Sequence, residues 1–94
     1  MRAALANDLA THAVLLTHGI MTIGRAKSNE LVIPIATTSY YHAKIITFNK
    51  TAYIQDMGST NGTYVNGKRR FCHILHEGDC VQIGEYRFTI AGFA

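Results

Sequence analysis

Four groupings of residues in this 94-residue chain carry functional groups at spacings that chemistry uses. The first, Gly62-Thr63-Tyr64-Val65-Asn66-Gly67-Lys68, fits G-x-x-x-x-G-K. A nucleotide-cradling P-loop continues with Ser or Thr for Mg²⁺ and opens a helix. Here Arg69 follows, Thr63-Tyr64-Val65 is β-prone, and no helix-length pattern comes next. ATPase chemistry is therefore not expected. The second grouping is Cys72, His73, His76 and Cys80, four metal-ligating types within nine residues. Structural zinc sites bring ligands in close pairs such as C-x₂₋₄-C, and on a strand Cys72 and His73 point to opposite faces. No metal site is expected. The third is Ser39 and His42 with Asp56 or Asp79, the residue types of a hydrolytic triad. Triads are defined by geometry, and the chain has no G-x-S-x-G elbow. No catalytic residue is assigned.

The fourth grouping is distributed and internally coherent. It comprises Gly24-Arg25, Ser39-Tyr40-Tyr41-His42-Ala43, Gly58-Ser59-Thr60-Asn61-Gly62-Thr63, and Asn66-Gly67. The blocks carry a guanidinium with permanently charged planar donors, several hydroxyls, and an Asn amide with donor and acceptor together. Each block falls at the end of an expected strand or in a loop, where a rigid sheet holds binding groups still.

The elements that must position them are short strands. Hydrophobic residues make up 48% and charged residues 16% of the chain, which describes one globular domain and excludes a polyelectrolyte. No apolar run approaches the roughly 20 residues of a membrane-spanning helix. The spacing of apolar runs and turn residues predicts strands at 13–17, 20–24, 31–33, 42–48, 52–57, 63–65, 71–75, 80–83 and 86–91. Val81 and Ile83 alternate with Cys80 and Gln82, and Tyr86, Phe88 and Ile90 with Arg87 and Thr89. Gly84-Glu85 predicts a two-residue hairpin with a type II′ turn, and Asn66-Gly67 a second hairpin. Residues 1–10, Ala-rich and without a secretory-signal pattern, read as a tail or the end of a linker. Residues 11–94 read as the domain. Two cysteines are too few for a disulfide framework, so a reduced, cytoplasmic setting is expected. A bridge across the turn between them is geometrically open.

Net charge is +3, which favours anionic partners without choosing among them. The one basic cluster, Lys68-Arg69-Arg70, is shorter than a nucleic-acid tract and reads as a solvated strand end or turn. A nucleic-acid partner would bind with steep salt dependence and little reliance on Arg25. It is the weaker expectation.

Taken together, the blocks of the fourth grouping resemble the forkhead-associated (FHA) domain, a phosphothreonine-peptide reader. The resemblance runs from about Ile20 to Ile90, and Gly58-Ser59-Thr60-Asn61-Gly62-Thr63 followed by Asn66-Gly67 is its most specific part. The run Leu75-x-x-Gly78-Asp79-x-Val81-x-Ile83-Gly84 is similar to the family's closing strands. The resemblance implies an all-β sandwich of about eleven short, mostly antiparallel strands, with the phosphate held by loops at one end. It implies Arg25, Ser39 and Thr60 as phosphate ligands and Asn61 as the grip on peptide backbone. Gly24, His42, Gly58, Gly62, Asn66 and Gly67 would support the site. In the family the residue after the motif serine is often basic or Asn; here it is Tyr40, whose hydroxyl can still donate or whose ring can pack on peptide. The implied function is phosphothreonine-dependent protein interaction in signalling. The implied partner is a Thr-phosphorylated protein, either a Ser/Thr kinase or its substrate. No cofactor, membrane association or enzymatic activity is implied, and the setting is cytoplasmic, or nuclear in a eukaryote. The competing reading is a phosphate-independent scaffold or oligomerisation module on the same fold.

Overall fold

The computed structural model describes residues 12–94, and the tail reading for 1–10 lies outside them. Ten strands follow one another: β1 (His12–Leu16), β2 (Gly19–Gly24), β3 (Leu31–Val32), β4 (Ala43–Phe48), β5 (Thr51–Asp56), β6 (Thr63–Val65), β7 (Lys68–Arg69), β8 (Cys72–Leu75), β9 (Cys80–Ile83) and β10 (Tyr86–Phe93). They form two five-stranded sheets, ordered β1-β10-β9-β6-β7 and β3-β2-β4-β5-β8. Pairing is antiparallel except at the two edges, where β1 runs parallel to β10 and β3 parallel to β2.

Alternation does the packing. Along β4, Ala43, Ile45 and Thr47 point inward, and along β5 Ala52, Ile54 and Asp56 do, with Ile45 facing Ile54 across the ladder. The opposite sheet contributes Val14, Leu16, Val65, Val81, Ile83, Tyr86, Phe88 and Ile90. Each fully buried Val, Ile or Phe contributes roughly 1.5–3 kcal/mol by transfer from water, and together they hold the sheets face to face.

The expected strands are present with ends moved by one or two residues. Residues 33 to 42, where apolar periodicity stops, hold no strand, and His42 lies in the loop before β4. The count among the described residues is ten against about eleven expected. Lys68-Arg69, read from sequence as a strand end or turn, is the separate strand β7, paired with Tyr64 and Val65. Asn66 and Gly67 both take positive φ (52° and 85°), which makes a type I′ turn and sends β7 back along β6. Gly84 has φ 59° with Glu85 on the negative side, as the II′ expectation requires. Asn49-Lys50 turns the same way as Asn66-Gly67, with φ 55° and 57°.

These pairings dispose of two earlier groupings. The G-x-x-x-x-G-K stretch is β6, a hairpin and β7, so no helix N-terminus exists to face a phosphate chain. Cys72 lies in β8 of one sheet and Cys80 opens β9 of the other; both are free thiols. Among the described residues no three His, Cys, Asp or Glu side chains cluster, and no helix is long and apolar enough to cross a membrane.

Candidate functional site

Four connections meet at one end of the sandwich. β2 ends there and β4 begins, since Ile23 pairs with Ala43. β5 ends there opposite Ala43, and β6 begins opposite Ile83, the last residue of β9. Residues 25–30, 33–42, 57–62 and the 84–85 turn are therefore neighbours in space although 60 positions separate the first from the last.

Arg25 leaves β2 and is stitched at once to the 33–42 loop. Its backbone N–H donates to Ser39 O (2.9 Å) and the next N–H, of Ala26, to Tyr40 O (3.2 Å). The side chain is exposed, but its Nε donates to Thr38 O (2.9 Å) and its Cζ lies 4.3 Å from the centroid of the Tyr40 ring. The remaining guanidinium donors are those on the two terminal nitrogens. Asn29, buried, donates through Nδ2 to both Ala26 O (2.9 Å) and Tyr40 O (2.8 Å), clamping the turn after Arg25 onto the same loop.

Gly24 is required by that close approach. A Cβ there would fall inside the van der Waals shell of the Tyr40 carbonyl oxygen and lie 2.9 Å from Asn29 Nδ2. Both neighbours are fixed by the hydrogen bonds above, so neither gives way cheaply. Gly24→Ala is expected to cost roughly 1–3 kcal/mol of stability, the range of an overpacked core. Urea unfolding at unchanged m-value measures it, and a loss below about 0.5 kcal/mol would show that the loop relaxes freely.

His42 joins the second and third loops. Fully buried, it accepts the Ser39 N–H at Nδ1 (3.0 Å), which puts its proton on Nε2, and Nε2–H donates to Gly62 O (2.8 Å). Ser39 Oγ in turn accepts the backbone N–H of Thr60 (3.2 Å), leaving the hydroxyl hydrogen free to donate outward. Asn61 Nδ2 donates to Thr37 O (2.9 Å). Gly62, at φ 91°, leaves the space where its Cβ would stand to the Arg69 side chain, whose Nε is 2.5 Å from that point. Of the residues read from sequence as supporting the site, Asn66 and Gly67 stand apart. They lie at the other end of β6, where Asn66 bonds Asp79 Oδ1 (3.0 Å) and the Cys80 N–H (2.9 Å). Their connection to the site is indirect, through the hairpin that returns Arg69 to Gly62.

The hydrolytic reading of Ser39, His42 and an acid finds no geometry. Neither His42 nitrogen bonds Ser39 Oγ or a carboxylate. Asp79 is at the far end beside His76 (3.9 Å). Asp56 is near, but it is occupied in building the third loop. Its Oδ1 accepts the N–H groups of Gly58 (2.8 Å) and Ser59 (2.7 Å), and its Oδ2 accepts Ser59 Oγ (2.6 Å) and Thr63 Oγ1 (2.7 Å). Ser59 Oγ then receives the Gly62 N–H (2.9 Å). Burial pushes the Asp56 carboxyl up, but these four donors outweigh it and hold it below the ordinary carboxylate range. Asn29 and Asp56 in this role are the two site-building residues that the sequence reading missed. For Asp56 a signal exists in Asp56-x-Gly58-Ser59, the pattern of an Asx turn. For Asn29 none does.

A family model described as the FHA domain matches residues 21–84. The chain is 41% identical over 76 residues to the ABC transporter ATP-binding/permease protein Rv1747 of Mycobacterium tuberculosis, covering 81% of this chain and 9% of that protein. It is 37% identical over 75 residues to the oxoglutarate dehydrogenase inhibitor of Corynebacterium diphtheriae, covering 80% of this chain and 52% of the other. The chain thus spans at most about half the length of these curated relatives. Among solved structures it is similar to Mycobacterium tuberculosis EmbR in complex with a low-affinity phosphopeptide. That match has TM-score 0.75 and 31% identity, over 81% of this chain and 21% of that one. The strand order, the loop-borne Arg25, Ser39 and Thr60-Asn61, and these matches together make the chain a member of the FHA domain family.

Proposed function

We propose that this chain is a phosphothreonine-dependent interaction module, with no chemistry of its own, that grips a phosphorylated segment of a partner protein at the loop end of the sandwich. The observation that carries this reading is the knot of Arg25, Ser39 and Thr60. The Arg25 N–H is bonded to Ser39 O, and Ser39 Oγ to the Thr60 N–H, so three loops distant in sequence are tied to one another at the residues that carry a guanidinium and two hydroxyls. A phosphothreonine brings about 1.5 to 2 negative charges and three acceptor oxygens. The terminal nitrogens of Arg25 meet the phosphate, Ser39 Oγ–H donates to it, and Thr60 supplies the facing hydroxyl. Asn61, with its second amide hydrogen and its oxygen uncommitted to Thr37, bonds the ligand backbone. His42, Gly24, Gly58 and Gly62 hold the loops in register. The partner is a kinase substrate or a kinase carrying phosphothreonine.

Titrating one peptide in phosphothreonine, phosphoserine and unmodified forms tests the reading. The phosphothreonine form is expected to bind tightest. Burying the extra methyl is worth roughly 0.8 kcal/mol, about a fourfold preference over phosphoserine, and more if an empty niche would otherwise remain. The unmodified form is expected not to bind measurably. Equal binding of all three would replace this reading with the phosphate-independent scaffold.

A further inference from the structure

We infer that Tyr40 is the positioning residue for Arg25: its ring fixes the plane of the guanidinium before any ligand arrives, and it acts on phosphate through that arginine without touching it. The inference rests on the reading of Arg25 as the phosphate-binding cation.

A guanidinium is a flat group with five in-plane donors, and an exposed one samples many rotamers. Fixing its orientation takes one restraint within the plane and one normal to it. The hydrogen bond from Nε to Thr38 O (2.9 Å) is the first, and the Tyr40 ring, 4.3 Å from Cζ, is the second. The terminal nitrogens then point one way only. The residue that carries the ring is anchored through its backbone. The Tyr40 carbonyl accepts hydrogen bonds from Ala26 N–H and from buried Asn29, and the absence of a Cβ at Gly24 lets that carbonyl approach. Although Tyr40 is 58% exposed, its backbone is among the most firmly tied in the loop. A neutral aromatic at this position contributes no charge to the phosphate, yet it packs against the guanidinium and takes up none of the donors on the two terminal nitrogens.

The test uses two readouts on the same samples. The first is the proton shift of the Arg25 Nε–H in ¹H–¹⁵N NMR spectra, displaced upfield by the ring current while the stack exists. The second is the affinity for a capped Ala-Ala-phosphothreonine-Ala-Ala peptide by NMR titration. Tyr40→Phe is expected to keep the displaced resonance and bind within about twofold of wild type. Tyr40→Ala is expected to lose the displacement and bind about fivefold more weakly, as a lost cation–π contact implies. Thermal unfolding within a few degrees of wild type shows that each variant is folded. An unmoved resonance in Tyr40→Ala would overturn the inference, as would a moved resonance with unchanged affinity. Tyr40→Phe binding as weakly as Tyr40→Ala would overturn it too, since the hydroxyl would then be touching ligand. A wild-type protein that binds the unphosphorylated pentapeptide equally well overturns the reading of the site and the positioning role with it, even where the resonance still reports the stack.

Discussion

Arg25→Ala is expected to weaken binding of a phosphothreonine peptide by on the order of a hundredfold or more, while Lys68, Arg69 and Arg70 to Ala change it modestly. Two charge-assisted hydrogen bonds to phosphate, each worth about 1.5–3 kcal/mol, account for a loss of that size. Arg25 is exposed, and among the described residues its side chain makes one hydrogen bond, to Thr38 O, so the variant keeps its fold. Arg25→Lys separates charge from shape. A lysine keeps the positive charge but offers neither the flat face that meets Tyr40 nor an Nε–H for Thr38 O, so it is expected to recover only part of the affinity. Isothermal titration of the three proteins against one phosphopeptide decides the matter. Near-wild-type affinity in Arg25→Ala, with steep salt dependence, would move the binding surface to the scattered basic residues and favour a nucleic-acid-like electrostatic mode.

The second large effect concerns stability. Asp56→Ala is expected to cost roughly 3–5 kcal/mol, because it leaves two backbone N–H groups and two hydroxyls without their acceptor and releases the 57–62 loop. Asp56→Asn is the milder version: its amide oxygen still accepts from one pair of donors, and only the pair facing its amide nitrogen loses an acceptor. The pH dependence follows from the direction of the shift. The carboxyl titrates lower in the folded than in the unfolded chain, so its contribution is complete above its ordinary value of 3.8 and disappears as pH falls through the folded value. Urea midpoints measured across the acid range are expected to fall in the wild type within that window and to fall less in Asp56→Asn. Parallel curves for the two proteins would mean that Asp56 is not the group responsible.

How much of this was legible in the sequence depends on the range of the interaction. Strands with clean alternation, such as β4, β5, β9 and β10, were readable because each records its own burial every second residue. The hairpins at Asn66-Gly67 and Gly84-Glu85 were readable because positive φ leaves a local residue signature. β7 was not, since Lys68 and Arg69 are both exposed and carry no alternation. Its existence follows from the Asn66-Gly67 turn and the ladder bonds to Tyr64 and Val65. The candidate site residues were legible as a set of motifs, but the way they are held was not. That His42 would use one nitrogen on Ser39 and the other on Gly62, or that Asn29 would hold two carbonyls 14 positions apart, depends on loops meeting in space. Gly24 illustrates the same limit. Its need for a missing Cβ arises from a carbonyl 16 positions downstream.

The bonds that tie Arg25 to Ser39, Ser39 to Thr60, and His42 to Gly62 are all internal to the protein and owe nothing to a ligand. Recognition therefore begins from a mould already set, and little ordering entropy is left to spend at encounter. The association rate should accordingly be governed by diffusion and by attraction between the Arg25 guanidinium and a phosphate dianion, falling as ionic strength rises. Differences among bound segments would then appear mainly as lifetimes of the complex.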